Sequence, residues 1–232
     1  MTAAALQPAR AVQAELSQAP LNEQVYQQIR WDLIVGNHRP GDKLSIRRFA
    51  KLLGTSAMPV REALKRLASE RALEVFGNRS FAVPVLEPKR VSDLFFIRSS
   101  LEGIATGLAA ETLTLRQVDR LAELAMLMDR DIDGADTTGY LTRNYNFHFT
   151  IYTAAGNADL VSIIEGLWAQ TGPFLAAVVR DVEMADDWRR MHSRIAEAIR
   201  ARDAAEARAL IEKDISWDIE YFRELAEAQA QG

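Results

Sequence analysis

The 232-residue sequence contains no cysteine, which excludes a disulfide framework, a thiolate metal site and a cysteine nucleophile. A cysteine-free chain suits a reducing compartment, and a cytoplasmic location is expected. Long apolar runs are scarce. The first twenty residues, MTAAALQPARAVQAELSQAP, lack the basic start and continuous apolar core of a secretory signal, and residues 1–20 are expected to form a flexible arm. Leu160 to Val179 is apolar, but Glu165, Gln170 and the Gly172-Pro173 pair interrupt it. A buried helix is expected there, and no membrane association. Histidine is also rare, with three in the chain. Neither an HExxH pair, a nucleophile elbow nor a phosphate loop is present, so the sequence gives no ground for an enzyme.

The formal net charge of −4 is a sum over unlike parts. Residues 21–90 carry 13 basic and 7 acidic side chains, net +6, whereas residues 91–232 carry 14 basic and 24 acidic, net −10. A basic segment joined to a longer acidic one points to a polyanion-binding module fused to something else. The proline and flanking charges of Glu87-Pro88-Lys89-Arg90 mark the boundary. A first module over 21–86, a linker over 87–91 and a second module over 92–230 are expected.

In the first module Leu21, Val25, Ile29 and Leu33 recur every four residues and predict a helix that stops at Gly36. Ile46, Phe49, Ala50 and Leu53 predict a short second helix ended by Gly54. Thr55 or Ser56 then caps a third helix with Pro59 in its first turn. Val60, Ala63, Leu64 and Leu67 face inward on that helix, leaving Ala57, Met58, Arg61, Lys65 and Arg66 outside. Two helices joined by a glycine-containing turn make a helix-turn-helix. LEVFGNRSFAVPV then predicts two strands around Gly77-Asn78, with Arg79 at the tip. Cationic residues gather on this module: Arg47 and Arg48 on the second helix, Arg61, Lys65 and Arg66 on the third, and Arg79 on the hairpin. A recognition helix enters the major groove by its N-terminal residues, so Arg61 can bridge guanine O6 and N7 while Ser56 and Lys65 hold phosphates.

The segment PGDKL followed by FAKLLGTSAMPVREALKRLASE resembles the winged helix-turn-helix of GntR-type bacterial transcription regulators. That resemblance implies operator binding as a homodimer, with Arg47, Arg61 and the wing around Asn78, Arg79 and Ser80 touching double-stranded DNA. Two features depart from the usual pattern: Ala57 stands where an arginine commonly follows the serine, and Ile46-Arg47-Arg48 occupies a place where an acidic residue is common. The operator sequence therefore does not transfer from relatives.

The second module lacks strand alternation and shows amphipathic runs over about 90–110, 114–133, 138–155, 158–180, 185–201 and 203–229, which predict an all-helical bundle. The fold class is mainly α. Polar residues stand on otherwise apolar stripes: Asn144 and His148 with Leu141, Ile151 and Ala155; His192 with Trp188, Ile195 and Ile199; Asp214 with Leu210 and Ile211. Buried imidazoles and carboxylates are costly unless paired or metal-bound, so four such groups suggest one interior site.

RSSLEGIATGLAAE, NYNFHFTIYTAAGN and MHSRIAEAIRARDAAEAR resemble the FCD ligand-binding domain of one GntR subfamily. In that family an acidic residue, the histidine four positions later and two further histidines bind a divalent metal. The matching positions here are Asn144, His148, His192 and Asp214, so an acid is lost at one and gained at another. Two imidazoles and two oxygen donors suit Zn²⁺, Ni²⁺, Mn²⁺ or Fe²⁺ without selecting among them; a metal-free pocket in which the same groups hydrogen-bond an effector is the alternative. The resemblance also places Arg98 at this cavity, where it can hold a small carboxylate effector together with Asn144, His148 and His192. An ion pair with Glu102 is the competing role for Arg98. A ligand-responsive repressor is the function expected; a metal-dependent enzyme with a DNA-binding module and an effector-free architectural DNA binder are the alternatives.

Overall fold

The computed structural model describes residues 19–76, 80–181 and 186–231; most of the arm, and Asn78 and Arg79, lie outside the described residues. Helix α1 (Leu21–Ile34) buries Val25, Ile29 and Leu33. It stops where Gly36 adopts φ +66°, a left-handed conformation that suits glycine. The Ser45 hydroxyl accepts from the Arg48 N–H to cap α2 (Ile46–Leu52). Helix α3 (Ala57–Ser69) turns Val60, Ala63, Leu64 and Leu67 inward, as the pattern predicts. Its N-cap is Ser56, but neither candidate hydroxyl caps the helix: Ser56 makes no side-chain cap bond, and the Thr55 hydroxyl is buried without a partner among the described residues.

The wing has one strand more than the sequence pattern predicts. Strand β1 (Lys43–Leu44) pairs antiparallel with β3 (Ser80–Ala82), which pairs antiparallel with β2 (Glu74–Phe76), giving the order β1-β3-β2. Leu44 and Val75 both stand opposite Phe81. Two residues are too few to show alternation, so β1 leaves no periodic signal.

Helix α4 (Pro88–Ala110) begins inside the stretch expected as linker, because proline lacks only an N–H that the first helical turn leaves unpaired. Helices α5 (Leu115–Asp133), α6 (Thr137–Ala154) and α7 (Ala158–Asp181) follow. Thr114 and Gln117 form a reciprocal capping box at the start of α5. The run expected over 185–201 is split at Arg190 into α8 (Asp186–Arg189) and α9 (Met191–Arg200), and α10 (Ala204–Gln231) closes the bundle against α4. Among the described residues no helix is long and apolar enough to cross a membrane.

The two modules meet where α1 lies against α7. A Cβ on Gly172 would stand 2.5 Å from the Leu33 carbonyl oxygen, and one on Gly36 2.2 Å from Ala176 Cβ, so glycine at both positions permits the close approach. The Gly172-Pro173 pair, inside α7, thus serves the contact between modules. Polar bonds cross the same seam: Arg30 to Glu165 at 2.9 Å and the Arg180 guanidinium to the Gly36 carbonyl at 2.8 Å. Trp31 meets Tyr145 edge to face with ring centroids 4.9 Å apart.

Candidate functional sites

On the first module, Arg47, Arg48, Ser56, Ala57, Met58, Lys65 and Ser80 are exposed and Arg61 is half-buried. Ala57, Met58, Arg61 and Lys65 share the outer face of α3. Among the described residues no acidic side chain pairs with Arg47, Arg48 or Arg61, whereas Lys65 has an exposed partner in Glu62 at 3.0 Å. Arg66, on the same face of the sequence pattern, turns back to α1. It binds Glu23 and Glu70, and its guanidinium lies 3.6 Å from the Tyr26 ring centroid. That places Arg66 in the packing of α1 on α3. The local basic group formed in the sequence by Arg180, Arg189, Arg190 and Arg194 is dispersed: Arg180 reaches Gly36, Arg189 reaches Asp133 and Arg194 reaches Glu206.

Inside the bundle the structure brings together all four residues picked from apolar stripes. Asn144 and His148 project from α6, His192 from α9 and Asp214 from α10, all buried. His192 Nε2 lies 3.0 Å from Asn144 Oδ1 and 3.9 Å from Asp214 Oδ2, and His148 Nε2 lies 3.5 Å from Asp214 Oδ2. Burial, the neighbouring His192 and Arg98 hold the His148 imidazole well below its usual range, and burial lowers His192 to about 4. Both rings are therefore neutral near pH 7, the form that ligates a metal, and their contacts with Asp214 are not ion pairs.

Arg98 forms the ion pair expected as its competing role, Nε to Glu102 Oε1 at 2.7 Å, and also faces the cavity, which it lines with Asn144, His148 and Asp214. Three further residues belong to this interior and have no counterpart among those picked from the sequence. Tyr152 accepts from or donates to His148 Nδ1 at 2.8 Å and donates to Glu102 Oε2 at 2.5 Å. Trp168 Nε1 donates to Glu102 Oε1 at 2.9 Å. Asp218 lines the cavity one turn beyond Asp214. Spacing of four carried a signal for two of them, His148 to Tyr152 and Asp214 to Asp218, and none for Trp168.

The residues fit a divalent ion. Donor atoms of His148, His192 and Asp214 all lie within 4.8 Å of one another, against about 3–4.2 Å for donors around an ion at ~2.1 Å. Glu102 answers the charge of Arg98, which leaves Asp214 and Asp218 as two buried carboxylates and matches a charge of +2. Without such a charge, burial together with Glu102 pushes the Asp214 carboxyl up to about 7. Burial pushes Asp218 up to about 8, with Arg98 opposing and Asp214 and Glu102 adding. The cavity measures about 20 Å³, room for an ion or a water or two and not for an organic acid. A larger groove of about 350 Å³ lies between the modules beside Pro40, Val85, Phe174 and Phe222; its ionisable lining groups are Glu87 and Tyr221, so it offers no cation to a carboxylate.

A three-helix module with a paired wing, carried on a helical bundle with a polar interior, defines the class of winged-helix DNA-binding regulators. Residues 21–83 match the bacterial regulatory proteins of the gntR family, and residues 93–216 match the FCD domain. The chain belongs to the GntR family of transcription regulators, in the subfamily whose C-terminal part is an FCD domain. It is 31% identical over 192 residues to the HTH-type transcriptional regulator McbR of Escherichia coli strain K12, covering 82% of this chain and 86% of that one. It is 26% identical over 200 residues to the HTH-type transcriptional repressor GlaR of the same organism, covering 82% and 90%. The solved structure of E. coli McbR/YncC superimposes with a TM-score of 0.82 at 28% identity, over 90% of this chain and 99% of that one. These relatives are transcription regulators and not enzymes.

Proposed function

We propose that this regulator is a homodimeric repressor whose hold on operator DNA is altered by a small organic acid bound in the FCD domain beside a divalent metal. The observation that carries the reading is the buried meeting of Asn144, His148, His192 and Asp214 beside a cavity lined by Arg98, Asn144, His148 and Asp214. His148, His192 and Asp214, with Asn144, would hold a divalent ion, which would supply Lewis-acid attraction for a carboxylate oxygen. Arg98 orients the second oxygen through its guanidinium. Binding to DNA rests on Arg47, Arg48 and Arg61, with Ser56, Lys65 and Ser80 at phosphates and Ala57 and Met58 toward the base edges. Asn78 and Arg79 of the wing are proposed to join them. Repression is supported by GlaR, which is named a transcriptional repressor.

Helix α6 connects the two activities. Its Asn144 and His148 face the cavity, while the intervening Tyr145 donates to Glu165 at 2.9 Å and packs on Trp31 of α1. A cavity too small for an organic acid has to widen to admit one, and α6 then shifts the α1 contact and the spacing of paired recognition helices. Second copies are proposed to meet along α4, where Phe96, Ile104 and Leu108 lie exposed at intervals of one or two helical turns.

The test is a thermal-shift screen of mono-, di- and tricarboxylates with and without Zn²⁺, Ni²⁺, Mn²⁺ or Fe²⁺, followed by operator binding in the presence of each stabilising pair. The reading requires a metal-dependent shift with a matched acid and a loss of operator affinity; indifference to every acid and to chelator would sink it.

A further inference from the structure

Tyr152 and Glu102 have no direct place at the four converging donors, yet their bonds decide which nitrogen of His148 is bare. A phenol has one proton. The Glu102 carboxylate is held by donors on every side: Arg98 Nε at 2.7 Å and Trp168 Nε1 at 2.9 Å on Oε1, and Arg98 Nη2 at 3.4 Å on Oε2. Tyr152 therefore gives its proton to Oε2, at 2.5 Å. Its oxygen can then only accept from His148 Nδ1, 2.8 Å away, which puts the imidazole proton on Nδ1. The other nitrogen, Nε2, is the one that faces Asp214.

We infer that Tyr152 is a positioning residue: held by Glu102, it fixes His148 as the Nδ1–H tautomer and leaves Nε2 unprotonated toward His192 and Asp214. Glu102 sets the direction of the chain, and Arg98 sets Glu102. The guanidinium that faces the cavity and the imidazole that faces the donor set are thus joined through two hydrogen-bonded groups, each buried. A hydrogen bond accepted from the far nitrogen of a ligating imidazole orients the ring and raises its basicity. The inference deepens the metal reading above and rests on it for its consequence, though not for its geometry.

Substitution of Glu102 by glutamine makes the chain readable. Arg98 Nε and Trp168 Nε1 both require an acceptor at the Oε1 position, so the amide oxygen takes that place and its NH₂ turns to Tyr152. The phenol must then donate to His148 Nδ1, and the imidazole proton moves to Nε2. Full-length protein with ¹⁵N-labelled histidine, treated with chelator at pH 8, is examined by long-range ¹H–¹⁵N correlation. The parent is expected to show His148 as Nδ1–H, Glu102→Gln as Nε2–H, and Tyr152→Phe, which fills the same space without the hydroxyl, as a mixture. Zn²⁺ affinity, read by competition with a chromophoric chelator, is expected to fall about 10- to 100-fold in both variants. An Nε2–H tautomer in the parent, or an unchanged tautomer in either folded variant, overturns the inference. A parent with the stated tautomers that binds no Zn²⁺, Ni²⁺, Mn²⁺ or Fe²⁺ supports the positioning chain and refutes the metal reading instead.

Discussion

Arg98 and Glu102 form an ion pair sealed inside the bundle, 2% and 0% exposed, one helical turn apart on α4. Such a pair is weak evidence of stabilisation as a unit, because two charges lose their water, but removal of one partner strands the other. Arg98→Ala is expected to lower the unfolding free energy by about 3–5 kcal/mol, read from urea denaturation. Arg98→Met combined with Glu102→Gln should recover most of that loss. A single Arg98→Ala chain as stable as the parent would show that the guanidinium is not what offsets the burial of Glu102.

The stability of the metal-free protein should depend on pH most clearly above about 6.5, because below it the two histidines and the two carboxylates oppose each other. The lowered histidines stabilise the fold above their unfolded pKa, and that contribution is lost as pH falls from 6.5 toward the value of about 4 for His192. Asp214 and Asp218, raised to about 7 and 8, contribute stability that is full below their ordinary value of 3.8 and is lost as pH climbs through the raised ones. Between pH 6.5 and 8 only the carboxylates act, so the thermal midpoint in chelator should fall across that window. Saturating Zn²⁺ or the Asp218→Asn exchange should flatten the fall; a midpoint rising with pH there would contradict the assignment.

The seam between modules offers a test of coupling that leaves both sites intact. Gly172→Ala places a methyl 2.5 Å from the Leu33 carbonyl and 2.7 Å from that of Ile34, and backbone cannot yield as a side chain does. A destabilisation of about 1–3 kcal/mol is expected, with Zn²⁺ affinity unchanged and the effect of acid on operator affinity reduced. Glu165→Gln, which weakens the links to both Arg30 and Tyr145, should reduce the coupling with a smaller cost in stability.

Arg61→Ala should weaken operator binding by about 1–3 kcal/mol and relax discrimination at one base pair. Arg48→Ala should weaken all duplexes alike and shallow the salt dependence by about one phosphate contact. Fluorescence anisotropy at several salt concentrations separates the two; equal losses on operator and random DNA for Arg61→Ala would count against base reading.

Leu108→Glu is predicted to convert the proposed dimer to a monomer of 25.9 kDa in size-exclusion chromatography with light scattering, since Leu108 is half exposed and its exchange leaves the chain's own core intact. A parent that is already monomeric would remove the α4 interface.

Much of the helical order was legible because burial on one face repeats every three to four residues: Val25, Ile29 and Leu33 in α1, and Val60, Leu64 and Leu67 in α3. The meeting of Asn144, His148, His192 and Asp214 was legible for the same reason, since each is a polar break in an apolar stripe. Strand β1 was not, having two residues and no period. Nor was the turning of Arg66 onto Tyr26, because a long side chain on an outer face can reach across to a neighbouring helix. Tyr152, Trp168 and Asp218 read as ordinary core residues until α4, α6, α7 and α10 are packed together. Their roles are set by neighbours distant in sequence.

The 20 Å³ cavity also fixes how an acid would arrive. An effector that cannot fit the prevailing conformation waits for a rarer, wider one, and its apparent affinity is reduced by the fraction of time that state is open. The observed rate of association should therefore level off as ligand is raised, at the rate of opening and not of diffusion. Under the proposed effector reading, the response is then set by how often the bundle opens and not only by how tightly the open state binds.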